Sequence, residues 1–117
     1  MHKNNKQIIG RLGEQLAEKY YQTLGFKLIA KNFYTRYGEL DLVFKKRRRI
    51  LLVEVKTRTN QNFGWPEEVI NPAKIERMLR AYAILRNQLA LDPDPEIEIC
   101  AIVIKGRQAA LRRYPLV

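Results

Sequence analysis

The chain has 117 residues, enough for one domain spanning 1–117, and 22 Lys and Arg against 12 Asp and Glu leave it at +10. Hydrophobic residues make up 46%, which excludes a disordered basic tail. No apolar run approaches the ~20 residues of a membrane span, and the start MHKNNKQ lacks the apolar segment of a secretion signal. The single Cys100 and the single His2 exclude a disulfide framework, a Cys-cluster zinc site and a His-based triad. The expectation is a soluble, cytoplasmic, basic domain whose partner is nucleic acid and not a membrane.

In chain order, Gln7 to Leu24 is helical, with Ile9, Leu12, Leu16, Tyr20 and Leu24 as its apolar stripe, and Gly25 stops it. Phe26 to Phe33 reads as a strand and Tyr37-Gly38 as a turn. Leu40, Leu42 and Phe44 alternate with Glu39, Asp41 and Val43 in a second strand. Five consecutive basic residues, Lys45, Lys46, Arg47, Arg48 and Arg49, lead into a third strand, Ile50 to Lys56. Thr57 to Asn71 is a loop carrying Phe63-Gly64-Trp65-Pro66. Asn71 caps a second helix with Pro72 at its first position, buried along Ile75, Met78, Leu79, Tyr82, Leu85 and Leu89. Asp92-Pro93-Asp94-Pro95 ends it. Ile97 to Ile104 is a buried strand and Ala109 to Tyr114 an edge strand. The order α-β-β-β-α-β-β is that of an α/β domain with a mixed central sheet flanked by helices.

Between Lys19 and Pro66 stand eleven basic residues and three acids, Glu39, Asp41 and Glu54. The strands around the basic run should pair as a hairpin, and alternation fixes their register. With Asp41 opposite Glu54, Leu40 faces Val55, Leu42 faces Val53 and Phe44 faces Leu51, an all-apolar side. The other side carries Glu39 opposite Lys56, Asp41 opposite Glu54 and Val43 opposite Leu52. Two opposed carboxylates repel across a sheet. A divalent cation removes the penalty, and carboxylate oxygens suit Mg²⁺, or Mn²⁺ in its place. A lysine beside such an ion assists attack on a phosphodiester, by orienting water or neutralising charge. On the first helix Gly10, Gly13, Glu14 and Ala17 share a face. Two glycines in one turn indicate close backbone approach, and Glu14 projects from that surface toward the ion.

Asp41 followed thirteen residues later by Glu54-Val55-Lys56 resembles the D…(D/E)xK signature of restriction-endonuclease-like nucleases. Gly10-x-x-Gly13-Glu14-x-x-Ala17, Asn32, Gly38 to Val43, Val53 to Lys56 with Arg58, Phe63-Gly64-x-Pro66 and Lys74 resemble the uncharacterised bacterial YraN-like family. That family is similar in motif layout to archaeal Holliday-junction resolvases. The resemblance implies a restriction-endonuclease-like fold, Asp41 and Glu54 as metal ligands, Lys56 as the catalytic lysine and Glu14 as the helix acid. One departure is Leu40, which stands where the superfamily often has proline. The implied activity is metal-dependent hydrolysis of DNA, branched or structured, and a resolvase-like role favours a homodimer. The alternative is a non-catalytic nucleic-acid-binding protein on the same scaffold.

Several residues carry two readings. Glu39 either supports the site or pairs with Lys56 across the hairpin. Lys45 to Arg49 are either a solvated turn or a polyanion contact. Arg58 and Lys74 either touch phosphates or decorate the surface. Phe63 and Trp65 either stack on unpaired bases or pack under their loop.

Overall fold

A period of two in the strands and of 3.6 in the helices becomes, in a computed structural model describing residues 5–59 and 72–117, one sheet between two helices. The elements are α1 (Asn5–Thr23), β1 (Lys27–Thr35), β2 (Gly38–Lys46), β3 (Arg49–Arg58), α2 (Pro72–Leu89), β4 (Glu96–Lys105) and β5 (Gln108–Pro115), in the expected order. His2, Phe63, Gly64, Trp65, Pro66 and Asn71 lie outside the described residues. Spatial order follows chain order, β1 to β5. Only β3 and β4 run parallel, with α2 between them in the chain, because a parallel neighbour needs a crossover.

The β2–β3 register matches the expectation where the ladder runs: Leu42 faces Val53, Val43 faces Leu52 and Phe44 faces Leu51. Alternation sends Leu42, Phe44, Leu51 and Val53 to the α1 side, around Ala17 and Tyr21. Val43, Ile50 and Leu52 go to the α2 side, with Met78, Ala81, Tyr82 and Leu85.

Leu40 corrects the expectation. It packs with the α2 cluster and not with Leu42, and none of the expected pairs Leu40–Val55, Asp41–Glu54 and Glu39–Lys56 is a strand pair. The ladder stops at Leu42–Val53, because the Asp41 carboxylate accepts the Val55 N–H at 2.9 Å in place of a backbone carbonyl. On β1, Asn32 has φ of 51°, a left-handed conformation that Asn tolerates better than most residues. Lys31 pairs with Leu42 and Phe33 with Leu40, so the break in alternation on β2 is matched by Asn32 on β1.

The helix stripes need correction too. The buried line of α1 is Gly13, Ala17 and Tyr21. Leu16, Tyr20 and Leu24 flank it, and Leu12 is 42% exposed. Small residues let α1 lie closer than a leucine seam allows. A Cβ built on Gly13 falls 1.8 Å from Thr57 Oγ1, so any larger residue there forces the helix or Thr57 to shift. In α2, Leu79 and Leu89 are 38% and 47% exposed.

Behind α1 lies a buried charged network. Arg113 on β5 clamps Glu98 on β4 through Nε at 2.5 Å and Nη2 at 2.8 Å. The Tyr21 hydroxyl donates to the same carboxylate at 2.5 Å. A buried pair of this kind is kept by its full set of hydrogen bonds. Cys100 lies beside it, and burial pushes its thiol up to about 12. Thiolate is the reactive form, so Cys100 should resist a thiol reagent at neutral pH until denaturant unfolds the chain. Rapid labelling of the native protein would contradict this packing.

Candidate metal centre

Where the β2–β3 ladder opens, backbone groups no longer fill the space and side chains do. One carboxylate oxygen each from Glu14 on α1 and Glu39 and Asp41 on β2 lie within 4.8 Å of one another, all half-buried. Asn32, opposite on β1, braces them. With its nitrogen turned toward the acids, the amide donates to Glu39 Oε1 at 2.8 Å and Glu14 Oε1 at 3.2 Å. The motif containing Asn32 was legible, but its role as a strut was not. The signal that could have found it is an Asn inside a strand, a residue that favours turns.

Glu54 stands outside this trio and is 7% exposed. Its Oε1 lies 3.3 Å from Lys74 Nζ on α2. Its Oε2 is buried with no hydrogen-bond partner among the described residues. Lys56 lies two residues on along β3, on the same face by strand alternation. Of the residues expected to form the site, Glu14, Glu39 and Asp41 come together where the ladder opens, and Glu54 lies near enough for its charge to raise Asp41. Glu39 is a full member, and Lys74, a candidate phosphate contact, is ion-paired inside the cluster.

Crowding shows in the titration of these acids. Burial first, then the charge of Glu54, pushes Asp41 up to about 7; the Val55 N–H opposes the shift, while Glu14 and Glu39 add to it. Glu39 is also raised, by burial and by Glu14 and Glu54, against the pull of Lys74 and a hydrogen bond from Tyr34. An all-oxygen donor set with an orphaned buried carboxylate oxygen is compatible with a divalent metal ion.

The basic hairpin turn lies at the far end of β2. Arg47 lies six positions beyond Asp41, roughly 20 Å along the strand. Lys46 Nζ donates to the Leu24 carbonyl at 2.7 Å. Arg49 grips Glu96 through two hydrogen bonds at 2.8 and 3.0 Å. Lys45, Arg47 and Arg48 remain exposed. Arg58 is half-buried at the end of β3, beside a cleft next to Glu14. No helix among the described residues is long and apolar enough to cross a membrane.

Comparisons agree with the motifs. The chain is 40% identical over 104 residues to a UPF0102 protein of Syntrophomonas wolfei, covering 88% of this chain and 90% of that one. It is 32% identical over 114 residues to a UPF0102 protein of Caldanaerobacter subterraneus, covering 97% and 93%. Among solved structures it is similar to Hjc, a Holliday junction resolvase of Archaeoglobus fulgidus. That match has a TM-score of 0.51 and 19% identity, over 91% of this chain and 76% of the other. At that identity the likeness establishes a shared fold, the resolvase-like mixed sheet flanked by helices. A family model matches residues 13–104, and the chain belongs to the uncharacterised protein family UPF0102.

Proposed function

We propose that this protein is a Mg²⁺- or Mn²⁺-dependent nuclease that hydrolyses phosphodiester bonds in DNA, with branched or structured DNA as its substrate class. The observation that carries the reading is the convergence of Glu14, Glu39 and Asp41 within 4.8 Å of one another, next to the orphaned oxygen of Glu54. A pure binding protein gains nothing from carboxylates facing a phosphate backbone. The resolvase activity named for a protein of like fold supports DNA as the substrate. Cutting two strands symmetrically calls for a two-fold dimer.

Asp41, Glu39 and Glu14 would hold the ion, with the free oxygen of Glu54 as a further ligand. When bound, the ion supplies Lewis acidity toward a phosphate oxygen and makes nearby water easier to deprotonate. Asn32 fixes the rotamers of Glu14 and Glu39, so both oxygens are in place before the ion arrives. Lys56 offers its ammonium to the charge that builds on the phosphate, or orients the attacking water. Lys74 holds Glu54 in position. Lys45, Arg47, Arg48 and Arg58 bind the flanking phosphates, which gives affinity without sequence preference.

The test uses purified protein, Mn²⁺ or Mg²⁺, and labelled four-way, flap and linear DNAs beside an RNA set. Wild type should cut DNA, and Lys56→Ala should abolish cutting while binding persists. Cutting that survives Lys56→Ala places the chemistry elsewhere. A wild type that binds and never cuts is the non-catalytic alternative.

A further inference from the structure

Two open clefts flank the first half of α1. One, of about 310 Å³, is bordered by Lys6, Val55, Thr57 and Arg58. The other, of about 330 Å³, is bordered by Arg11, Asn32, Tyr34 and Glu39. Gly10 and Glu14 line both, so the clefts meet over one turn of helix. Among the described residues nothing requires Gly10 to be glycine. A Cβ built there meets nothing within 4 Å among the described residues, and its φ is not positive. Glycine inside a helix gives up roughly 1 kcal/mol relative to alanine. Gly13, three residues on, is tightly packed, so the two glycines have different causes.

We propose that Gly10 keeps clear a saddle over which a single nucleic-acid strand crosses α1, its phosphates reaching Lys6 and Arg58 on one side and Arg11 on the other. The idea rests on the nuclease reading and names the path its substrate takes past Glu14. Charge favours a polyanion: Lys6 and Arg58 outnumber Glu14 in the first cleft, Arg11 stands beside Glu14 and Glu39 in the second, and the chain carries a net +10. Size selects a single strand, because a cleft of some 300 Å³ is of the order that holds one small-molecule-sized unit. Tyr34, 75% exposed at the edge of the second cleft, offers a ring face on which an unpaired base stacks.

The experiment compares wild type, Gly10→Ala and Gly10→Gln by thermal melting and by fluorescence anisotropy with a labelled single strand and its duplex, in Ca²⁺. Both variants should melt at or above wild type, since alanine and glutamine are better helix formers. Gly10→Gln should bind the single strand about tenfold more weakly, and the duplex with much less change. Single-strand binding by Gly10→Gln equal to wild type overturns the saddle. So does a melting point well below wild type in Gly10→Ala, which would show that packing demands the glycine. A wild type that binds no single strand overturns it as well. If wild type binds the strand but cuts nothing in Mn²⁺, the nuclease reading fails, while weakened binding by Gly10→Gln still upholds the saddle.

Discussion

Asp41→Asn is expected to abolish cutting and, in the absence of metal, to make the protein more stable. The loss of activity, on the order of a hundredfold or more, follows from removing a carboxylate from the centre of the proposed site. The gain in stability follows first from the burial of Asp41 and then from the acids around it. Asp41 stands at about 7 in the fold against an ordinary 3.8. A raised carboxyl contributes stability that is full below about 4 and is lost as pH climbs through about 7. Above that pH an ionised Asp41 is held against Glu14, Glu39 and Glu54. Asparagine cannot ionise, and its oxygen can still accept the Val55 N–H. Asp41 is half-buried and the repulsion is shared, so the gain at pH 8 is about 2 kcal/mol, or roughly 5–10 °C in melting temperature. It should shrink toward zero below pH 4. Mg²⁺ should reverse the order by stabilising only wild type. Melts in EDTA at pH 4 and pH 8, then in Mg²⁺, read all three. A variant no more stable than wild type at pH 8 in EDTA would contradict the crowding.

Gly13→Ala is expected to cost about 3 kcal/mol, at the upper end for overpacking. The new methyl would overlap Thr57 Oγ1 and press on Thr57 Cβ and Cγ2, both 2.9 Å away. Relief comes only if α1 backs away from β3, which also carries Glu14 away from Glu39 and Asp41. The substitution should therefore weaken metal binding as well as the fold. Thr57→Ala in the same chain removes Oγ1 and Cγ2 and should recover part of the loss. A urea-denaturation double-mutant cycle measures that coupling. Additive costs for the two substitutions would mean that they do not touch.

Register and element order were legible because each β2 and β3 residue had to satisfy a buried face. Leu42, Phe44, Leu51 and Val53 admitted one pairing, and that pairing brought the acids to one end. Periodicity could not show where a strand departs from period two. Leu40 and Asn32 mark that departure, at the point where a side chain, Asp41, takes the Val55 N–H. The stripe of α1 was misread for a related reason. Leucines outweigh small residues on a hydropathy count, yet Gly13 and Ala17 decide how near the helix sits. The Tyr21–Glu98–Arg113 network was missed because its members are far apart in sequence and no local pattern links Tyr21 to Glu98, 77 residues away.

That network has a consequence for the order in which the protein is built. Tyr21 lies two turns beyond Glu14 on the same helix, and its anchor, Glu98, is the carboxylate that Arg113 of β5 clamps. A nascent chain that has not yet reached Arg113 has every carboxylate of the acid centre but leaves Glu98 without its guanidinium. The seat of α1 is therefore completed only when β5 pairs with β4 and brings Arg113 onto Glu98.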